Sequence, residues 1–458
     1  MYDVIVIGGG SGGYAGAIRA SQLGGKVALI EGGQMGGTCV GKGCIPSKIW
    51  LQAAALLDQS RKAGDFGINV SVDSLDLGVI VARKNGVSND IRMGMEALLQ
   101  NNGVDVIRGR GTLQSAREVL VDGTVVEGKN IIIATGSVLA IPEVPGLADA
   151  AWTSDQLLDA TEIPASVLVT DPGFIGVELA FLLAVFGAKV TLAVPTPRLL
   201  PAEDQDTSQR IAQSLRERGV EIITRHDLAS VAKAGDGWTC TLTGGGKERS
   251  VEVAKVLVST RKPNVGGLGL EALGIRCKAD GGIEVDDRLR TAVPTIYAIG
   301  DATGGWMLSH GASSMAVCAA ENCLGKGSKY AGHLLTRAMW TIPQMGAVGL
   351  SEEEAEKKGL EIEIGSFPYS INGYGMLRGE VDGAVKIVSD AGTGEILGVH
   401  IVGSAATETI GEAVLAMQLE CTVAELARGV RAHPAFCETV VDAARDAAGW
   451  ALYLPRRQ

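Results

Sequence analysis

Two stretches of this chain share one frame, 163 residues apart, and that repeat restricts the fold more than any other feature. VIVIGGGSGGYAGAIRASQLGGKVALIE (4–31) and VLVTDPGFIGVELAFLLAVFGAKVTLAV (167–194) both read as strand, glycine-rich turn, helix, strand. Gly10 falls on Gly173, Gly13 on Gly176, Ala17 on Ala180, Gly24 on Gly187 and Lys26 on Lys189. This is the βαβ pattern of a dinucleotide-binding unit. A single glycine fingerprint is weak evidence, whereas two in a common frame predict two such modules.

The rest of the chain suits that reading. Its 458 residues leave room for two to four domains at roughly 150 residues each. Sixty-three glycines against 4% aromatics favour an α/β enzyme with many tight strand-to-helix turns over a β-sandwich. With 20% charged and 46% apolar residues the composition is globular. A net charge of −11 argues against nucleic acid as a partner, since phosphates select a basic face. The opening MYDVIVIGGG has no basic leader and reads as a first strand, and the apolar run LAFLLAVFGA (179–188) is too short to span a bilayer. The expectation is a cytoplasmic protein with no membrane partner.

The two copies are not equivalent. In the first, Gly8, Gly10 and Gly13 allow the tight turn, the close pyrophosphate and the close helix. The following helix N-terminus offers free N–H groups to phosphate, and Glu31 ends the second strand where a carboxylate can hold ribose hydroxyls. In the second copy Asp171 replaces the first glycine and Val194 replaces the ribose carboxylate, while Gly173 and Gly176 remain. Asp171 is expected to cap the helix itself, taking N–H groups that a pyrophosphate needs and repelling it. Val194 forgoes a ribose hydrogen bond of about 1 kcal/mol. Arg198 stands nearby, but one arginine is weak evidence for a 2′-phosphate site.

Next comes GGTCVGKGCIPSKIW (36–50), in which Cys39 and Cys44 flank Gly41 and Gly43. In a regular helix that spacing leaves the Cα atoms roughly 8 to 9 Å apart, beyond disulfide reach. The glycines let the backbone bend and bring the sulfurs together, and Pro46 suits a helix start. Cys318 and Cys323 share the spacing but sit in an alanine-rich helical run, and read as structural. Cys240, Cys277 and Cys421 are isolated and read the same way. No CxxC or HxxxH occurs, so no metal site is expected.

Taken together, GGTCVGKGCIPSK and the N-terminal GGGSGG resemble the flavin-dependent pyridine nucleotide–disulfide oxidoreductases, and the Ile-Pro-Ser-Lys form is most similar to the dihydrolipoamide dehydrogenases. The likeness covers nearly the whole chain: IIIATGS (131–137) and TIYAIGDATGG (295–305) match FAD segments, and GEILGVHIVG (394–403) and RAHPAFCE (431–438) match the interface domain. The resemblance implies FAD, contacted by Gly8, Gly10, Gly13, Glu31, Thr38, Lys48, Thr135, Gly136 and Asp301. It implies Cys39 as the thiol exchanging with substrate and Cys44 as the flavin-facing thiol, ionised in a charge-transfer pair. Lys48 lies near the flavin, paired with Glu178, and His433 is the base oriented by Glu438. It further implies a homodimer in which His433 serves the other subunit's Cys39, acting on a small dithiol or a lipoyl-bearing protein. A thiol needs deprotonation to act, and a carboxylate-held His supplies that near neutral pH. Cys437 stands where the family usually has Ser and reads as a small helix residue.

NAD is the family's usual electron partner, and here the departures gather. Besides Asp171 and Val194, the segment LVSTRKPN (257–264) places Thr260 before Arg261, where the family tends to have Gly-Arg before a basic residue, and its loop is one residue shorter. Three readings follow: a dithiol dehydrogenase still using NAD, the same chemistry with a non-nicotinamide electron partner, or a flavoprotein redox sensor without turnover. The expected fold is α/β, with two Rossmann-like domains and a C-terminal α+β dimerisation domain. Its boundaries are 1–147 with 266–332 for FAD, 148–265 for the degenerate NAD type, and 333–458 for dimerisation.

Overall fold

The computed structural model describes residues 1–455. Strand β1 (Tyr2–Ile7), helix α1 (Ser11–Gln22) and strand β2 (Val27–Glu31) form the first βαβ unit. β1 lies parallel to β2 and, on its other side, to the strand Thr124–Ile133. The sheet runs in the order 105–108, β2, β1, 124–133, 118–121, 111–113, and the late strand Ile296–Ala298 joins 124–133 in parallel. The chain thus leaves this domain and returns to complete it.

The second sheet is five parallel strands in the order 221–224, 189–194, 166–169, 255–258, 151–153. Here the repeat appears in the hydrogen-bond register. Val4 pairs with Val27 in the first sheet, and Val167 with Val190 in the second, each partner displaced by the same 163 residues. An antiparallel three-stranded sheet (227–253) flanks this module. The third part is a five-stranded antiparallel sheet, order 337–339, 344–349, 396–403, 384–390, 362–368, covered by helices Ala406–Gln418 and Glu438–Ala447.

AVKIVSD (384–390), where apolar and polar residues partly alternate, is a strand with six of its seven residues buried. Lys386 is covered because its ammonium meets Asp204, Asp206 and Glu352. Cys318 and Cys323 lie buried on the helix Ser309–Cys323, whereas Cys277 is exposed and packs into no core. One apolar cluster unites Trp50, Phe181, Leu199, Met345 and Val402. It locks the helix that follows the cysteine pair to the second module and to the C-terminal sheet. Among the described residues no helix is long and apolar enough to cross a membrane.

Candidate active site

Helix α2 (Gly37–Lys42) and helix α3 (Cys44–Lys62) meet at Gly43, the break that the glycines around the cysteines predict. Cys39 lies inside α2 and Cys44 opens α3. A Cβ on Gly43 would stand 3.0 Å from the Thr38 carbonyl oxygen, so the turn between the thiols is closed to side chains. A Cβ on Gly37 would stand 3.0 Å from Gly10 Cα, which places the thiol helix directly on the first fingerprint.

The two free thiols interact. The hydrogen bond from Cys44, aided by Ser309, Ser11 and the Lys48 charge, lowers Cys39 to about 6 against its burial. The same bond, with burial, pushes Cys44 up. The coupled pair therefore gives up its first proton easily. Ser309 and Ser11, joined by a hydrogen bond from Ser309 Oγ to Ser11 Oγ at 2.6 Å, add to the lowering of Cys39.

Cys39 and Cys44 line a cleft of about 460 Å³ together with Gly8, Gly10, Glu31, Thr38, Thr135, Gly136 and Asp301. Its shape suits a dinucleotide. Gly8 has φ +105°, and a Cβ there would be 2.3 Å from the Ala134 carbonyl oxygen. Gly13 lies behind it, where a Cβ would meet the Gly8 oxygen at 1.7 Å. Glu31 accepts from Gly9 N at 2.6 Å, holding its carboxylate at the strand end. Thr135 Oγ1 is buried without a hydrogen-bond partner, an orphan polar atom facing a polar ligand's place. These residues fit FAD. Lys48 Nζ binds both Glu178 oxygens at 3.0 and 2.8 Å and lies 4.3 Å from the Trp340 ring centroid. Glu178 is only 5% exposed, and the Trp340 N–H fixes its Oε1 at 2.8 Å.

His433 and Glu438 stand apart from that cleft. Glu438 accepts from His433 Nδ1 at 2.9 Å and from Ala435 N at 2.8 Å, and His433 is 78% exposed. Cys437 is half-buried at the start of the Glu438–Ala447 helix.

The second fingerprint is filled from within. Asp171 accepts from Gly173 N at 2.8 Å, Gly176 N at 3.2 Å and Ser259 Oγ at 2.6 Å. Val194 is fully buried. Arg198 is engaged by Glu353 at 2.9 Å. The Ser259 bond brings the 257–264 segment to this spot, but only in part. Thr260 is exposed, and Arg261 turns back to Thr38 Oγ1 and Ser137 Oγ, each at 3.0 Å. Ser137 in turn donates to Asp301 at 2.6 Å. Arg261 thus belongs to the FAD cleft and not to the NAD-type loop where its sequence neighbours placed it. Ser309 and Trp340 also escaped sequence reasoning, since each reaches the site from a distant segment without a motif, and Ser11 and Ser137 lie within GGGSGG and IIIATGS but were not singled out there. A larger cavity of about 760 Å³, between the helix Gln205–Glu217 and the C-terminal sheet, holds none of the expected site residues.

Residues 2–316 match the pyridine nucleotide-disulphide oxidoreductase family and residues 335–444 its dimerisation domain. The chain belongs to the pyridine nucleotide–disulphide oxidoreductases. Among its relatives in this family is a dihydrolipoyl dehydrogenase of Thermus scotoductus, 36% identical over all of this chain and 99% of the relative. That of Bacillus subtilis is 35% identical over 99% of each. Of solved structures, the Cu(II) complex of the HOCl-induced flavoprotein disulfide reductase RclA from Escherichia coli is similar. It is 26% identical, with a TM-score of 0.84, covering 97% of this chain and 98% of that one. The oxidoreductase is therefore a dihydrolipoyl dehydrogenase-like, FAD-dependent disulfide oxidoreductase with a dimerisation domain.

Proposed function

We propose that this oxidoreductase oxidises a dihydrolipoyl-type dithiol, small or protein-borne, through Cys39 and Cys44. The observation carrying the reading is the thiol pair at the helix break, lining the FAD-type cleft. In the oxidised enzyme the pair is a disulfide. One substrate thiolate attacks Cys39 Sγ, the Cys39–Cys44 bond breaks, and Cys44 leaves as a thiolate. The second substrate sulfur attacks the first, the mixed disulfide breaks, and oxidised substrate departs, leaving Cys39 reduced. His433 Nε2 takes the substrate proton, because Glu438 holds Nδ1. Its exposure away from its own thiol cleft supports service to the other copy in a homodimer. FAD, when bound, supplies the two-electron acceptor for the dithiol pair. Lys48, fixed by Glu178 and Trp340, places a positive charge beside it.

Where the electrons go next is a second question. Two of the three bonds to Asp171 favour a carrier other than NAD, for they occupy N–H groups a pyrophosphate would use. Cu(II), bound by the Escherichia coli reductase, is one acceptor class to assay. The reading is tested with Cys44→Ser. Flavin reduction by dihydrolipoamide should fall about a thousandfold, while Cys39, now a free thiol, still attacks oxidised lipoamide to form a mixed disulfide, releasing the second lipoamide sulfur as a thiol. Unchanged reduction would refute the assigned route.

A further inference from the structure

Phe174 is the first residue of the helix Phe174–Val185, directly after the fingerprint loop that Asp171 closes. Its ring stacks on Trp306, with centroids 6.0 Å apart and planes inclined by 24°. Trp306 lies five residues past Asp301, in the segment that returns to the first domain, and is 40% exposed. The Arg337 guanidinium rests 5.0 Å from the Trp306 ring centroid. Arg337 itself is buried, its Nε 2.7 Å from Glu203 Oε1. The stack therefore joins residues of all three parts of the chain and is braced from behind.

Its position gives it a consequence for electron exit. Phe174 and Glu178 are one helical turn apart and share a face of their helix. Glu178 holds Lys48, so that face leads from the half-exposed Trp306 to the Lys48–Glu178 pair. A dinucleotide laid across the carboxyl ends of the second sheet's strands would bring its nicotinamide along this face. A flat ring can occupy that place only by parting Phe174 from Trp306.

We propose that Trp306 is a specificity-determining residue: by stacking on Phe174 it closes this entrance to nicotinamide rings. The inference rests on the dithiol–flavin reading only in taking bound FAD as the electron acceptor. It concerns a residue outside the fingerprint, and so is separable from the effect of Asp171. A clamp that merely holds the domains together would affect reduction by any donor alike, whereas an entrance cover affects nicotinamide selectively.

The experiment is stopped-flow reduction of the FAD-loaded protein, with NADH in one arm and dihydrolipoamide in the other. In the NADH arm a hydride is delivered, one solvent proton completes reduction of bound FAD, and NAD+ leaves. Trp306→Ala should raise the second-order NADH rate about tenfold over the parent, and Trp306→Phe, which keeps a stacking ring, should stay within about twofold. Phe174→Leu removes the stack from the other side and should behave as Trp306→Ala does, which keeps the test decisive if that variant does not fold. An NADH rate that is unchanged or lower in both stack-free variants overturns the proposal, as does an equal rise in Trp306→Phe. Failure of the parent to react with dihydrolipoamide would instead count against the dithiol reading, and the NADH comparison would still decide the role of Trp306.

Discussion

At Asp171 a single carboxylate takes three hydrogen bonds, two from the loop that should cradle phosphate and one from Ser259. The substitution for glycine is visible in the sequence, and so is its tendency to cap a helix. The third bond is not, because Ser259 arrives from just past a strand, 88 positions away. The cysteine pair divides in the same way. Its spacing and glycines reveal two thiols meeting at a bend. The lowering of Cys39 comes first from its partner Cys44 and then from Ser309 and Ser11, and no local pattern connects Ser309 to Cys39. Because Cys39 is lowered to about 6, its thiolate fraction rises as pH climbs through 6, well below the roughly 8.5 of a free thiol. Iodoacetamide labelling of Cys39 in the reduced protein should therefore reach half its maximal rate near pH 6. A midpoint above 8 would contradict the hydrogen-bonded pair.

Elements were more legible than their surroundings. The two βαβ units follow from glycine spacing and apolar strands, and their registers repeat with the frame seen in the sequence. The alternation along 384–390 does not show that its second face is covered, where charge partners from 204–206 and 352 bury Lys386. Periodicity reports local alternation and cannot anticipate such tertiary cover. The first fingerprint makes a firm demand on its own turn. Gly8→Ala must hold an alanine at φ +105° with its Cβ 2.3 Å from a backbone oxygen. The cost should be about 1–3 kcal/mol locally. The variant should purify largely without flavin absorbance, and full flavin content would show that the loop relaxes freely.

At the scale of the whole molecule, one apolar cluster fixes the thiol helix, the second module and the C-terminal sheet together. His433 remains exposed on the far part of the chain. Sequence patterns single out His433 and Glu438, but the subunit they would serve is set by assembly, which no segment encodes alone. If His433 acts across a homodimer, Cys39→Ser and His433→Ala chains should each be inactive alone, yet co-expressed they should regain activity. The mixed dimer keeps one of its two sites intact. No recovery, with mixed dimers verified by mass, would place the base within its own chain. The central claim is that dithiol electrons enter through the Cys39–Cys44 pair while the second module is poorly open to NAD. An anaerobic titration of the oxidised, FAD-loaded protein tests it most directly, with dihydrolipoamide in one cuvette and NADH in another. The account predicts stoichiometric reduction and a long-wavelength thiolate–flavin absorbance with the dithiol, and little change with equimolar NADH. Equal reduction by NADH, or none by the dithiol, would contradict it.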